Sequence, residues 1–162
     1  MTKIDKGKSY SIISIILASI GAFFIFIDYI IAYTLSTMIL RVISKYNHAV
    51  CLNNYYKVLS SVSILFLIAF IFAISGILVM FKGTYGYGIG GFLLIVAGIL
   101  GIVAALMGNI VIEMLMKETR NQHGSAYDYY LPFFGFLFIG EILCLISGLI
   151  AEVAFLIRTK EK

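Results

Sequence analysis

Four carboxylates stand in, or at the edges of, otherwise uncharged apolar runs: Asp28, Glu113, Glu141 and Glu152. Side chains of this type in such surroundings can hold a proton or a small cation, or can join helices through hydrogen bonds when protonated. None has an evident basic partner. Glu141 stands deepest, about ten residues into its run, where an acidic residue costs on the order of 2.5–3.5 kcal/mol on insertion scales. It is therefore expected to face other helices or water and to carry a proton. Glu141 and Glu152 are separated by nearly three helical turns, which sets them on one helix face about 16 Å apart. Asp28 falls on a seam of small residues and is expected to point inward.

Two readings compete for these groups. As a staircase from one boundary to the other, they could pass protons or cations between titratable oxygens. As helix-to-helix links, they would hydrogen-bond to Ser, Tyr, Asn109 or backbone carbonyls, each worth about 0.6–2 kcal/mol. The second is preferred, because Asp28, Glu113 and Glu152 stand near enough to the boundaries to be partly hydrated.

The elements that must position them are four apolar stretches, roughly 10–33, 59–81, 87–112 and 131–157. Each exceeds the ~20 residues a helix needs to cross ~30 Å of hydrocarbon. Composition agrees: 62% of residues are hydrophobic and 12% charged, against roughly 45–50% and ~25% in soluble domains. The expected fold is all-α, a single four-pass integral membrane domain built as an antiparallel four-helix bundle. The first stretch is read as a retained transmembrane helix and not a secretory signal, because it is long and its small residues lead into Phe23-Phe24-Ile25-Phe26-Ile27.

Lys and Arg set the expected orientation. Lys3, Lys6, Lys8, Lys82, Arg158, Lys160 and Lys162 fall on the side of the termini, with Arg41, Lys45, Lys57, Lys117 and Arg120 opposite. That bias puts both termini in the cytoplasm of a multi-pass cell-membrane protein. The net charge of +4 is read as attraction to an anionic leaflet and not to nucleic acid, since no basic run interleaves with aromatics. Tyr10, Tyr85 and Tyr87 fall at inner ends, and Tyr29, Tyr33, Tyr55, Tyr56, Tyr127, Tyr129 and Tyr130 at or beyond outer ends, as interfacial belts would require. Pro132 marks the start of the fourth helix.

Small residues predict where the helices meet, because close backbone approach must supply the attraction that lipid does not. Gly91, Gly98, Gly101, Ala105 and Gly108 form a seam on the third helix, expected to be the most enclosed. Ser11, Ser14, Ala18, Gly21, Asp28 and Ala32 keep one register on the first, with Ile25 interrupting. Ala69, Ala73 and Gly76 do so on the second, and Gly140, Cys144, Gly148 and Ala151 on the fourth. The link Lys82–Gly86 makes the second and third helices antiparallel neighbours. A short echo, Ile74-Ser75-Gly76-Ile77-Leu78 against Ile146-Ser147-Gly148-Leu149-Ile150, raises the question of a duplicated hairpin.

The connection from Thr34 to Lys57 is too long for a turn, and Leu35, Met38, Ile39, Val42 and Ile43 recur at helical spacing. The first helix is expected to project past the membrane or bend along its surface, offering a surface to lipid or protein. His48 and His123 lie in outer connections, which removes paired haem ligation between helices. Cys51 and Cys144 differ in depth by half a membrane, which argues against a disulfide. His48 and Cys51 alone do not make a metal site, and positions 83–91 lack the ending of a phosphate loop. No metal and no cofactor is expected.

Gly140-Glu141-Ile142-Leu143-Cys144-Leu145 with Gly148-Leu149-Ile150 resembles the ion-carrying last helix of V-type ATPase proteolipids. That resemblance implies a proton-carrying role for Glu141. It covers about a dozen residues, and the first helix lacks the dense glycine of that family while the expected sidedness is reversed. The layout is similar to claudin-like tetraspan proteins, without their Trp and paired-cysteine loop signature. The residues themselves point to a non-enzymatic structural or accessory subunit of a membrane assembly, partnered by lipid and by other subunits or copies of itself. The alternative is a small proton or cation translocator using Glu141, with a membrane enzyme third.

Overall fold

In the computed structural model the described residues, 3–45, 50–123 and 138–160 for the backbone and 8–41, 53–117 and 138–160 for side chains, are helical apart from the turn at 81–83 and residue 160. The helices are α1 (Lys3–Lys45), α2 (Val50–Met80), α3 (Thr84–His123) and α4 (Phe138–Thr159). Each contains a stretch long and apolar enough to cross a membrane. Each packs on its two neighbours in ring order, with α1 and α3 diagonal and barely touching. Neighbours run antiparallel: Ser14, early in α1, meets Met80 at the end of α2 and Ser147 of α4, while Gly21, two turns further along α1, lies against Gly140, two turns back along α4.

Three helices run past their apolar stretches. α1 has 43 residues and α3 has 40, about 64 Å and 60 Å at 1.5 Å per residue. The Thr34–Lys57 segment is therefore not a loop. Apart from residues 46–49, it belongs to the end of α1 and the start of α2. The physical reason lies in what is missing: no Gly or Pro occurs between Ala22 and Ser75, so nothing breaks the helix where the apolar run ends. Hydropathy marks a solvent boundary, whereas a helix stops only where backbone or capping chemistry stops it. The helical start expected at 131, Pro132 and the tyrosines at 127, 129 and 130 lie outside the described residues, as do His48 and the side chains of Cys51 and His123.

The α2–α3 turn is as short as the sequence implies. Lys82 N–H donates to the Val79 carbonyl at 2.9 Å, and Gly86 N–H donates to the Gly83 carbonyl at 2.9 Å. Gly83 has φ of 104°, a backbone conformation glycine adopts without the clash of a Cβ. Gly86 lies against the Val79 carbonyl, where there is no room for a side chain.

The seams read from the sequence are the buried faces. Ser11, Ser14, Ala18, Gly21, Ile25, Asp28 and Ala32 of α1 are all buried, and so are Ala69, Ala73 and Gly76 of α2. On α3 the whole series Gly91, Gly98, Gly101, Ala105 and Gly108 is buried, and on α4 Gly140, Cys144, Gly148 and Ala151 are. A larger share of the apolar span is buried in α3 than in any other helix. Phe66, Ile25, Leu59 and Leu94 fill the larger gaps of the core, while Ile16, Phe23, Ile71, Phe92 and Leu149 look outward. A rim this apolar is compatible with lipid contact.

Candidate functional site

Asp28 and Glu141 are brought together. Both are fully buried, at 0% exposure, and their carboxyl groups face each other within hydrogen-bonding reach. Backbone geometry explains the meeting. A helical Cα–Cβ bond leans toward its own N-terminus, so in antiparallel neighbours two side chains set at different levels can lean toward one another. Asp28 leans down α1 toward Ser14, and Glu141 leans up α4 toward Phe138. The two meet in the gap between.

Among the described residues, no hydroxyl or basic side chain bonds any of the four carboxylate oxygens. Two acceptor-only groups cannot bond to each other, so the contact requires a proton on one of them. Asn109, a partner suggested by the sequence, does not reach the pair, and its own Oδ1 is without a hydrogen bond. The surroundings are close-packed. Any Cβ at Gly101 of α3 would strike the Glu141 Cγ and come within 3.2 Å of its Oε1, and one at Gly98 would come within 2.7 Å of the Glu141 carbonyl oxygen. Glycine at both positions lets α3 press against the back of Glu141. Cys144, one turn further along α4, is a buried free thiol whose Sγ would lie 2.8 Å from a Cβ on Gly21.

The other two carboxylates are not part of this pair. Glu113 departs from expectation: its side chain is 61% exposed and forms an ion pair with Lys117 at 3.0 Å, one turn along α3. Sequence reasoning put it at a membrane edge and overlooked the neighbour four residues on. Glu152 is partly exposed, with Oε1 3.2 Å from the Cβ position of Gly91, three turns from Glu141. The staircase is thus one buried pair and two separate edge groups.

A second polar contact ties the same two helices. Ser14 Oγ donates to the Ser147 carbonyl at 2.9 Å and Ser147 Oγ donates to the Ser14 carbonyl at 2.7 Å, forming a reciprocal clasp with the hydroxyls 3.1 Å apart. The sequence placed Ser14 on its seam, but Ser147 only in the echo. Near the termini, the Arg158 guanidinium sits 4.7 Å above the centre of the Tyr87 ring. Tyr87 is buried beneath it, unlike Tyr85, which is 70% exposed as a belt residue would be.

The pairing of Asp28 with Glu141 had a signal in the sequence. Asp28 lies 20 residues beyond Lys8 and Glu141 lies 17 before Arg158, about 30 Å and 25 Å from the same polar end. Two acids at nearly one depth on helices that close a ring are candidates for contact. No family model matches this chain, and neither does any curated protein or solved structure.

Proposed function

We propose that this chain is a non-enzymatic, four-pass integral membrane protein of the cell membrane that serves as a structural or accessory subunit of a membrane assembly. The observation that carries this reading is how tightly the interior is filled. Gly21 and Gly140, Gly76 and Gly90, and Gly91 and Gly148 oppose each other's backbones so closely that an added Cβ would stand 2.6–3.0 Å from a facing carbonyl oxygen. Such contacts give the van der Waals attraction that apolar helices need in lipid. Four of the interior polar side chains join α1 to α4, through Ser14–Ser147 and Asp28–Glu141, while Ser36 and Ser63 bond within their own helices. A filled rod with an apolar periphery suits packing against lipid and other subunits. Both termini are cytoplasmic in this reading, with the projecting ends of α1, α2 and α3 outside.

The Asp28–Glu141 pair favours one other reading, a proton or cation translocator, because titratable oxygens deep in an apolar span are what such proteins use. Extraction into native lipid particles followed by mass measurement of the intact particles separates the two. The subunit reading expects the chain at fixed stoichiometry with itself or other polypeptides, and no flux from the purified chain in proteoliposomes. A solitary chain that conducts protons or cations, with flux abolished by Glu141→Gln, would replace it.

A further inference from the structure

Between residues 9–40, 58–81, 88–112 and 138–157 the chain has no Lys, Arg or His. The counter-charge for two carboxyls buried at 0% exposure therefore cannot be a side chain of these segments. A proton from solution can supply it. We propose that Asp28 and Glu141 form a proton-binding site, in which one proton taken from water bridges the two carboxyls and its presence holds α1 against α4. This goes beyond the subunit reading and does not depend on it.

Three observations carry the site. First, among the described residues no other side chain donates to any of the four buried oxygens, yet the two groups face each other within hydrogen-bonding reach. Buried polar groups in folded proteins generally have partners, and two facing carboxyls can bond each other only when one of them carries a proton. Second, the counter-charge is small. A bridging proton needs two facing oxygens, whereas calcium takes six to eight oxygen ligands and magnesium an octahedron. The hydroxyl protons of Ser36, Ser63 and Ser147 are donated elsewhere, to the Tyr33, Ser60 and Ser14 carbonyls, and none is given to the pair. Third, the cradle is fitted to Glu141. Gly98 and Gly101 leave α3 with no side chain where Glu141 lies, so α3 fixes the carboxyl from behind and directs it at Asp28.

The balance of the step is simple. A hydronium ion gives its proton to one carboxylate of the pair and leaves as water, and the new O–H donates to the other carboxylate. Release reverses it and leaves two like charges side by side between α1 and α4, which repel and are poorly solvated there. Among the described residues few other groups can interfere. From α4 the facing titratable group is the Cys144 thiol, and along α1 the nearest are the phenols of Tyr29 and Tyr33. From α2 between Val58 and Phe81, and from α3 between Gly88 and Ile112, the sequence holds no ionisable residue.

Infrared spectroscopy of the full chain in lipid nanodiscs tests this, using protein with carboxyl-¹³C aspartate or glutamate. The expected result is a C=O band of a protonated carboxyl that moves on transfer to D₂O and on one of the two isotope labels. The band should remain in Glu152→Gln and be lost in the Asp28→Asn, Glu141→Gln double variant. If that variant does not fold, the wild-type isotope shifts decide, since the other aspartates, Asp5 and Asp128, lie outside the apolar stretches. Spin labels at the exposed Ile12 and Leu149 should show α1 and α4 separating as alkali removes the band, with no such movement in the double variant. Any of four outcomes overturns the proposal: carboxylate bands alone that shift with sodium, potassium or calcium; a band that never exchanges with deuterium; a band that survives in the folded double variant; or loss of the band without separation. None of them bears on whether the chain travels with partners, so the subunit reading is tested separately.

Discussion

Gly148→Ala is the most informative single change, because two opposing effects of known size meet at one atom. Adding a methyl group in a helix interior favours the helix by about 1 kcal/mol, since glycine surrenders more backbone freedom than alanine. Against this, the new Cβ would stand 2.7 Å from the Gly91 carbonyl oxygen, 2.7 Å from the Ile95 Cγ1 and 3.0 Å from the Ile95 amide nitrogen. Two of the three are backbone atoms of α3 and cannot swing aside. Ordinary contact begins near 3.4 Å, so α3 and α4 must separate by several tenths of an ångström along a shared seam. Gaps of 0.5–1 Å forfeit a quarter to a half of each dispersion contact, and overpacking of this kind costs about 1–3 kcal/mol. The net expectation is destabilisation of up to about 2 kcal/mol. Gly88→Ala supplies the contrast. The atoms nearest its Cβ all belong to the Phe155 ring, at 3.3 Å and beyond, and a ring can turn. That change should be neutral or stabilising by up to about 1 kcal/mol. Reversible denaturation of each variant in mixed micelles, followed by circular dichroism, measures both. If Gly148→Ala proved as stable as Gly88→Ala, the close approach of α3 to α4 would be wrong.

Gly101→Leu should disrupt the bundle and drive Glu141 off Asp28, while Ile99→Leu, at a position 51% exposed, should be mild; thermal unfolding in detergent compares them. Ser14→Ala and Ser147→Ala should each cost about 0.6–2 kcal/mol, and the double variant less than their sum, because the two hydroxyls also contact each other at 3.1 Å and either change alone removes that contact; a double-mutant cycle reads this. Lys117→Ala should change stability by no more than about 0.5 kcal/mol, since its pair with Glu113 is exposed; a larger loss in the same denaturation assay would contradict that exposure. Cysteine placed at position 160 should resist impermeant reagents added outside cells and cysteine at 123 should react; the opposite pattern would invert the proposed orientation.

How much was legible differs by feature, for physical reasons. The buried faces were readable almost residue by residue, because a run such as Ser11, Ser14, Ala18, Gly21 reports the 3.5–3.6 period directly. Helix ends were not, because residues 34–45 and 50–57 are polar enough to end a membrane run yet contain nothing that ends a helix. Glu113 misled for a related reason: depth was judged from the apolar run, and the ion pair to Lys117 depends on the helix continuing past it. The Asp28–Glu141 contact required knowing that α4 closes the ring against α1, a pairing of distant residues that no local pattern encodes.

The third helix explains why this ring closes tightly. Gly90 and Gly91 are consecutive, and successive residues of an α-helix point about 100° apart, so one helix turn presents bare backbone to two neighbours at once. Gly90 opposes Gly76 of α2, and Gly91 opposes Gly148 of α4. These partners are the central residues of the two Ile-Ser-Gly segments that echo each other in the sequence. The echo therefore has a packing reason that stands whether or not a hairpin was duplicated: two helices approaching one crowded turn from either side face the same steric demand. Once α2 and α4 are both drawn against α3, α1 must fill the remaining side, and its own small seam meets α4 at Gly21 opposite Gly140. Asp28 lies two turns beyond that crossing and Glu141 is the residue next to it, so closure of the ring itself carries the two acids into contact.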